Sequence, residues 1–250
     1  MEGRPNPIVI VPARMASMRL PGKPLADIHG EPMIVHVWRR AMKADIGPVV
    51  VACAEAEIAD AVREAGGDAV LTRPDHASGS DRVFEALESV DQEGHHDIVV
   101  NLQGDLPTID VPTVQAVLAP LAEPSVDIAT LATPITGQEE RDDPNVVKAV
   151  LSLHPGDAVG RALYFSRAVV PSGGGPHHHH IGIYAYRREA LRRFVDLPSG
   201  VLETRERLEQ LRALENGMRI GAALVDTVPL GVDTPADLSR ACDLLAERQV

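Results

Sequence analysis

The sequence predicts an α/β fold built on a doubly wound, mostly parallel sheet. Three observations lead there: short unbroken β-branched runs, intervening stretches with apolar residues at helical spacing, and Gly or Pro at the joints. Ile8 to Val11 is such a run, closed by Pro12, and its lack of polar alternation suits a strand covered on both faces. After a loop holding Gly22 and Pro24, residues Met33, Val37, Ala41 and Ala44 recur at helical spacing. Gly47-Pro48 then stops the helix before the strand Val49-Val50-Val51-Ala52. The alternation continues with a helix near Glu55 to Ala65, a strand at Ala69 to Leu71, a helix from Ser80 to Val90 and a strand at Ile98 to Val100. A helix from Pro112 to Leu121 and a strand at Ile128 to Ala132 extend it. Sheets of this kind bind ligands at the carboxyl ends of their strands, so the loops after Val11, Leu71 and Leu102 are expected to face one cleft.

From about Gly137 to Ser199 the alternation breaks, and Pro, Gly and polar loops separate short strand candidates such as Val146 to Val150. This segment reads as an irregular insertion or subunit-contact region within one domain spanning 1–250. A regular helix is expected again at Glu203 to Asn216, with Leu208, Leu211 and Leu214 on one side and Gly217 as its cap. Ile220 to Val225 reads as a strand and Pro235 to Glu247 as a closing helix.

The net charge of -12 argues against broad contact with nucleic acid or an anionic membrane, and aromatic residues at 3% leave little to stack on bases. No apolar run approaches the roughly 18 residues that span a bilayer, and Met1 to Asn6 lacks a signal-peptide core. A soluble cytoplasmic protein is the expectation. Cys53 and Cys242, the only two cysteines, form no CxxC pair and suggest packed thiols.

Against this acidic background the segment Pro12 to Pro24 carries Arg14, Arg19 and Lys23 and no acid. The chain has three lysines in all, Lys23, Lys43 and Lys148, so Lys23 is not routine surface filler. A loop of backbone N–H groups and fixed cations after the first strand can hold a triphosphate, whereas the bland reading is a solvated basic loop. A Walker A loop is excluded, because Pro24 follows Lys23 where Ser or Thr would be needed. Gln103-Gly104-Asp105 follows the strand ending at Leu102, and a carboxylate there could ligate Mg²⁺, although taken alone a Gly-Asp turn is the commoner explanation. Asp233, just before a helix, reads by itself as N-terminal capping chemistry. In Thr72 to Arg82, Ser78 or Ser80 could cap the helix, and the same loop could contact a base.

The run His177 to His180 lies too deep in the chain for an affinity tag. Adjacent residues of a strand face opposite ways, so a four-histidine metal site is not expected; one or two would line a pocket and the others would be solvated. Glu203, Glu206 and Glu209 would share a helix face, a solvated one by default, with Arg205, Arg207 and Arg212 available to neutralise one of them.

Taken together these residues resemble the 3-deoxy-D-manno-octulosonate (Kdo) cytidylyltransferases. The likeness runs in order through PAR-x-x-S-x-RLPGKPL at 12–25, PMIVHV at 32–37, TR-x-DH-x-SG at 72–79 and NLQGD at 101–105. It goes on through PN-x-VK at 144–148, ALYFSR at 162–167, H-x-GIYAYR at 180–187, LEQLR at 208–212 and GVDTP-x-DL at 231–238. The resemblance implies a Rossmann-like nucleotidyltransferase that couples CTP and Kdo into CMP-Kdo and pyrophosphate for lipopolysaccharide assembly. It implies Arg14, Arg19 and Lys23 on the CTP phosphates, with Arg73, Ser78, Gly79 and Gln103 near nucleotide or sugar. Asp105 and Asp233 would hold Mg²⁺, and with Lys23 form the catalytic set. Gln103, Arg167, His180, Tyr184, Glu206 and Glu209 would serve the sugar, and a homodimer would form through 137–199.

Three positions depart from the family pattern. Met18 stands where a small polar residue is common, Leu106 replaces an acid, and the loop Pro171 to Pro176 lacks a Trp-Asp-Arg stretch. Two other readings remain open at this level: a cytidylyltransferase for another acidic acceptor, such as a different ulosonic acid or a phosphonate, and a non-catalytic CTP-binding regulator. Lys23, Asp105 and Asp233 occurring together favour an enzyme.

Overall fold

The computed structural model of the chain describes residues 5–247. They form mixed α/β structure in two compact units, one made of the described residues up to Val114 together with those from Pro229 onward, the other Gln115–Val228.

In the first unit β1 (Pro7–Ala13) is followed by a tight helical turn at Lys23–Leu25, the small hairpin β2 (Asp27–Ile28) and β3 (Glu31–Pro32), and α1 (Met33–Lys43). The alternation continues with β4 (Val49–Cys53), α2 (Ala56–Glu64), β5 (Asp68–Leu71), α3 (Gly79–Val90), β6 (Ile98–Asn101) and α4 (Val111–Ala116). The strand order is β5-β4-β1-β6, and every pairing is parallel. Ile10 lies beside Val50 on one side and Asn101 on the other, which makes β1 a central strand and explains why Val9, Ile10 and Val11 are fully buried. The unbroken β-branched run is what a strand covered on both faces requires. α1 buries Met33, Val37 and Ala41 of the positions its apolar spacing marks, together with Ile34 and Val35, and Ala44 is its C-cap.

The expected helix over 112–121 is shorter than its pattern. It stops after Ala116, and the residues Ala119–Ala122 tighten into a 3₁₀ turn containing Pro120, whose ring cannot continue an α-helix.

The second unit contains β7 (Ile128–Pro134), α5 (Gln138–Asp142), β8 (Lys148–Ser152), β9 (Val159–Ser166), β10 (His178–Arg187), α6 (Arg188–Asp196), α7 (Val201–Glu206), α8 (Leu211–Glu215) and β11 (Ile220–Leu224). Its strands pair in the order β10-β7-β11-β9-β8, with β8 also touching β10 at the His179–Lys148 pair. Only β7 with β11 is parallel; β10–β7, β11–β9 and β8–β9 are antiparallel. The stretch expected to be irregular is therefore largely antiparallel strand, and the break in strand–helix alternation there reflects a change of sheet type.

The helix expected over 203–216 is two helices. Arg207 takes the left-handed conformation at φ 57°, and the chain reverses so that Leu208 N–H returns to the Glu203 carbonyl at 3.2 Å. Beyond that corner α9 (Pro235–Glu247) rejoins the first unit. Val232, Ala241 and Leu245 pack there against Ile28 and Met33, each of the five at most 4% exposed. Burying one such aliphatic side chain contributes roughly 1.5–3 kcal/mol, enough to hold the 229–234 segment against the loop before α1.

Candidate active site

Gly22, at φ 69°, turns the loop after β1 so that Leu25 N–H reaches the Gly22 carbonyl at 2.9 Å and Lys23 enters a helical turn. Gly104, after β6, lies so close to β1 that a Cβ would stand 2.7 Å from the Pro12 carbonyl oxygen. Only glycine allows that approach, and it brings Asp105 beside Lys23. The Val232 N–H donates to the Asp105 carbonyl at 3.0 Å, which ties the 229–234 segment to the same loop and delivers Asp233.

These three backbone segments produce one charge cluster. Lys23 Nζ donates to Asp105 Oδ2 at 2.8 Å and to Asp233 Oδ1 at 3.0 Å, and Arg19 Nη2 donates to Asp233 Oδ2 at 2.9 Å. The lysine side chain is 16% exposed while that of Arg19 is 66% exposed, so the Lys23 contacts are the less screened. Burial alone would lower the Lys23 pKa, but Asp105 and Asp233 together outweigh it and raise the value above normal. Two carboxylates thus converge on a single cation, and their hard oxygen donors suit Mg²⁺.

A cavity of about 330 Å³ opens beside the cluster. Arg14, Lys23, Ser78, Gly79, Gln103, Asp105 and Asp233 line it, so the loops after β1, β5 and β6 meet as the strand order predicts. Arg19 reaches this group through Asp233. Arg73 points elsewhere: its side chain is 69% exposed and lies near Glu85 and Asp75. Ser78 is the cap of α3, its hydroxyl accepting from Asp81 N at 3.2 Å in a reciprocal capping box. The capping reading of Asp233 is corrected: Thr234 caps α9, accepting from Asp237 N at 3.2 Å, which leaves the Asp233 carboxylate to the cations. Gln103 Nε2 donates to Asn101 Oδ1 at 3.1 Å.

Sequence reasoning missed His76 and Arg82, which also line the cavity. His76 is held by Glu85, and Arg82 is 2% exposed. A histidine and an arginine in a polar loop-to-helix segment look solvated in one dimension. For His76 the available signal was its place in the loop after β5, which the fold aims at the cleft; Arg82 lies in the first turn of α3 beyond it.

In the second unit the residues expected to serve a sugar form tight internal contacts. Glu206 accepts from Ser166 Oγ at 2.8 Å, Arg167 N at 3.1 Å and Tyr164 Oη at 3.3 Å. Burial pushes its pKa up, yet these donors outweigh burial and hold the carboxyl below its ordinary value. Arg167 Nε in turn donates to the Glu206 carbonyl at 3.1 Å. Glu209 falls outside α7, so the three glutamates do not share a helix face; Glu203 instead pairs bidentately with Arg212 at 2.8 and 2.6 Å. His180 and Tyr184 do stay together, with ring centroids 5.6 Å apart. Between Ile181 and Tyr184, β10 advances three residues while β7 advances one, from Leu131 to Thr130. Two extra residues preserve the alternation of faces. The single proton of the Thr130 hydroxyl is taken by the Ile181 or Ile183 carbonyl, at 3.1 and 2.9 Å, so the oxygen accepts from His180 Nε2 at 2.9 Å. Solvation of the remaining histidines is also corrected: His178 is buried, His179 bonds Glu140 at 2.8 Å and His177 bonds the Pro171 carbonyl at 3.1 Å.

A parallel α/β sheet whose strand ends present a cationic loop and two convergent carboxylates to a polar cavity defines a nucleotidyltransferase. The particular kind follows from likeness to known proteins. The cytidylyltransferase family pattern matches residues 8–220, and the chain belongs to that family. It is 70% identical over 240 residues to a 3-deoxy-manno-octulosonate cytidylyltransferase of Paramagnetospirillum magneticum, covering 96% of this chain and 98% of that one. A protein of the same name from Rhodospirillum centenum is 68% identical over 243 residues, covering 97% and 95%. Among solved structures, CMP:2-keto-3-deoxy-manno-octonic acid synthetase complexed with CTP superposes with a TM-score of 0.89 at 39% identity, over 97% of this chain and 99% of the other. The 4-diphosphocytidyl-2C-methyl-D-erythritol synthase of Anaerococcus prevotii shares the fold alone, with a TM-score of 0.62 at 10% identity over 97% and 99%.

Proposed function

We infer that this chain transfers the cytidylyl group of CTP to Kdo, forming CMP-Kdo and pyrophosphate for lipopolysaccharide biosynthesis. Identities of 68–70% across nearly the whole length of proteins with that activity in their name carry the acceptor assignment. The Lys23–Asp105–Asp233 cluster beside the cavity carries the chemistry.

In this reading the anomeric hydroxyl oxygen of Kdo forms a bond to the α-phosphorus of CTP in line with the breaking bond. The bridging oxygen leaves with pyrophosphate, and the hydroxyl proton passes to water. Both partners are anions, so approach is opposed until cations offset their charge. Arg14 and Lys23 bind phosphate oxygens, and Arg19 is free to join them once Asp233 is otherwise engaged. Asp105 and Asp233 would hold Mg²⁺, which when bound would supply charge neutralisation for the phosphates and would acidify the attacking hydroxyl. Ser78, Gly79 and Gln103 position the nucleoside from the other cavity loops, with Arg73 able to swing in from the surface. Arg167, His180, Tyr184, Glu206 and Glu209 shape and stiffen the acceptor side.

The order β5-β4-β1-β6 with helices between parallel strands supports the doubly wound, Rossmann-like reading of the first sheet. A homodimer through the 137–199 region is supported by Val159, Leu163 and Val169, which are 39–50% exposed. Among the described residues no helix is long and apolar enough to cross a membrane. The free thiols Cys53 and Cys242 support a cytoplasmic location, and the net charge of -12 supports a protein that avoids nucleic acid and anionic membrane. Pyrophosphate release measured with CTP, UTP, ATP and GTP against Kdo, sialic acid and a small phosphonate tests the assignment. The highest kcat/KM is expected for CTP with Kdo, and a higher value for another acceptor would overturn it.

A further inference from the structure

Glu55 stands at the N-cap of α2 but does not cap it. That position favours Ser, Thr, Asp or Asn, whose short side chains reach the first free N–H groups of a helix, and the Glu55 side chain makes no such bond. Glu55 Oε2 instead accepts from the main-chain N–H of Met15 at 3.0 Å, across 40 residues of sequence. The carboxylate therefore serves the loop after β1 and not its own helix.

Little else holds that loop. β1 stays in register with β4 as far as Ala13 beside Cys53, and the Ala54 N–H donates to the Ala13 carbonyl at 3.1 Å. Beyond that point the bond from Met15 to Glu55 is the one hydrogen bond that the main chain of 14–19 makes among the described residues. Order resumes at Leu20, whose N–H donates to Ser17 Oγ at 3.3 Å and whose carbonyl accepts from the Lys23 N–H at 3.1 Å.

The bond lies behind the loop. Arg14, Ala16 and Ser17 line the cavity, whereas Met15 and Glu55 do not. Arg14 and Ala16 are exposed while Met15 between them is half-buried, so the chain alternates and Met15 faces the other way. Met15 Cε lies where it would stand 3.9 Å from a Cβ on Gly22, the residue whose positive φ opens the turn carrying Lys23. Pinning Met15 thus fixes Arg14 next to it in the chain and backs the turn that delivers Lys23. The N–H groups of 16–19 remain open, as a loop that meets phosphate oxygens requires.

We propose that Glu55 is a positioning residue for nucleotide binding, which by accepting from the Met15 N–H holds the loop after β1 in the conformation that presents Arg14 and Lys23 to the phosphates. The proposal rests on the reading that the cavity takes a nucleoside triphosphate. Glu55 acts by preorganisation: a loop already held when ligand arrives loses less freedom, and each residue left to be ordered on binding costs about tenfold in affinity. Its charge is a separable influence, because burial lowers the Arg82 pKa and Glu55 opposes that shift. Glutamine divides the two effects, since its amide oxygen can accept from the Met15 N–H without carrying charge. Aspartate keeps the charge and retracts the oxygens by one methylene.

CTP and inorganic tripolyphosphate, each with Mg²⁺, are titrated calorimetrically into the parent, Glu55→Gln, Glu55→Asp and Glu55→Ala, and KM for CTP and for Kdo is measured in the same set. Glu55→Gln is expected to bind both ligands within about threefold of the parent, and Glu55→Ala and Glu55→Asp about tenfold more weakly. KM for CTP should rise in step while KM for Kdo stays unchanged. Parent-like affinity in Glu55→Ala overturns the proposal. So does a glutamine variant as weak as the alanine one, which would assign the effect to charge, or an equal rise in both KM values, which would assign it to general loosening. In the unaltered protein, hydrogen exchange at the Met15 amide is expected to be at least about tenfold slower than at Ala16 and Met18, and equal rates overturn the proposal even if no variant folds. If the parent binds neither CTP nor tripolyphosphate, the triphosphate reading fails and the proposal with it. If it binds both but releases no pyrophosphate with any sugar acid, the catalytic reading alone falls, and the four affinities still decide the role of Glu55.

Discussion

Lys23 Nζ lies 2.8 Å from Asp105 Oδ2 and shares the same proton-donating head with Asp233 Oδ1 at 3.0 Å. One ammonium therefore balances two carboxylates drawn from segments more than 100 residues apart in sequence. The lysine is the counter-ion of both acids; on the proposed function, phosphate oxygens of a triphosphate in the cavity would compete for it and free the carboxylates for a metal ion. In the proposed reading the cluster would couple the arrival of nucleotide to the formation of a cation site.

Asp105→Asn is expected to leave the fold intact and to abolish Mg²⁺-dependent turnover. The substitution preserves shape but removes an anionic oxygen, and a loss of about 4 kcal/mol at the transition state corresponds to roughly a thousandfold in rate. Far-UV circular dichroism with steady-state pyrophosphate release checks both halves. Turnover within a few-fold of the parent would take Asp105 out of the metal site.

Lys23→Ala is expected to raise KM for CTP much more than KM for Kdo, because a point charge facing the triphosphate serves the nucleotide half of the reaction. It also leaves Asp105 and Asp233 without their shared ammonium, so Mn²⁺ titrated calorimetrically in the absence of nucleotide should bind the variant more tightly than the parent. Unchanged Mn²⁺ affinity would show that the lysine does not hold the metal ligands.

The first four parallel strands were legible because each is a short apolar run ended by Gly, Pro or a polar loop; burial on both faces leaves that mark in β1, β4 and β6, while β5 is a partly exposed edge strand. From them followed the convergence of Lys23 and Asp105 on one cleft. Asp233 was ambiguous, since Asp-Thr-Pro before a helix is capping chemistry whichever side chain does the capping; only the Thr234–Asp237 bonds show that Thr234 takes that role. Arg207 hid the corner at 207–210, because a left-handed arginine has no sequence signal comparable to glycine. The residues Leu208, Leu211 and Leu214 keep helical spacing across the break, since the corner still has to bury Leu208 and Leu211, with Leu214 half-buried. Arg82 was overlooked for a related reason: nothing in the order of residues marks a helix arginine that faces inward.

Arg212→Met is expected to destabilise the protein by about 3–5 kcal/mol, since it strands Glu203 without its partner where both side chains are nearly buried, at 9% and 13% exposure. Burial raises the Glu203 pKa, but Arg212 and the Gly200 N–H outweigh it and hold the value below normal. A depressed carboxylate pKa contributes stability that is present above the unfolded value of 4.5 and is lost as pH falls through the folded one. Urea denaturation at neutral pH measures the loss, and the gap between parent and variant should narrow below pH 4.5. A gap independent of acid would mean that the Arg212–Phe194 ring contact, at 5.1 Å, dominates instead.

His180 governs a second acid-sensitive window. Its ring lies between Phe165, at 4.7 Å, and Tyr184, and burial pushes its pKa down from 6.5 to about 3, with His179 adding to the shift. The folded protein keeps this imidazole neutral, whereas the unfolded chain takes up a proton below 6.5, so protons favour unfolding throughout the interval between the two values. Stability contributed by His180 is therefore complete above pH 6.5 and is lost as pH falls toward 3, by about 1.4 kcal/mol per pH unit for one proton. His180→Phe removes the titrating group while keeping an aromatic ring against Phe165 and Tyr184, and Thr130 can still donate to the Ile181 or Ile183 carbonyl. The variant is expected to show a shallower dependence of unfolding free energy on pH between 6 and 4 than the parent, the difference amounting to about one proton. Urea titrations at half-unit intervals read that slope directly. Identical slopes would mean that His180 is protonated in the folded state within this range, and with it that the Thr130 hydroxyl does not fix the ring as a neutral donor.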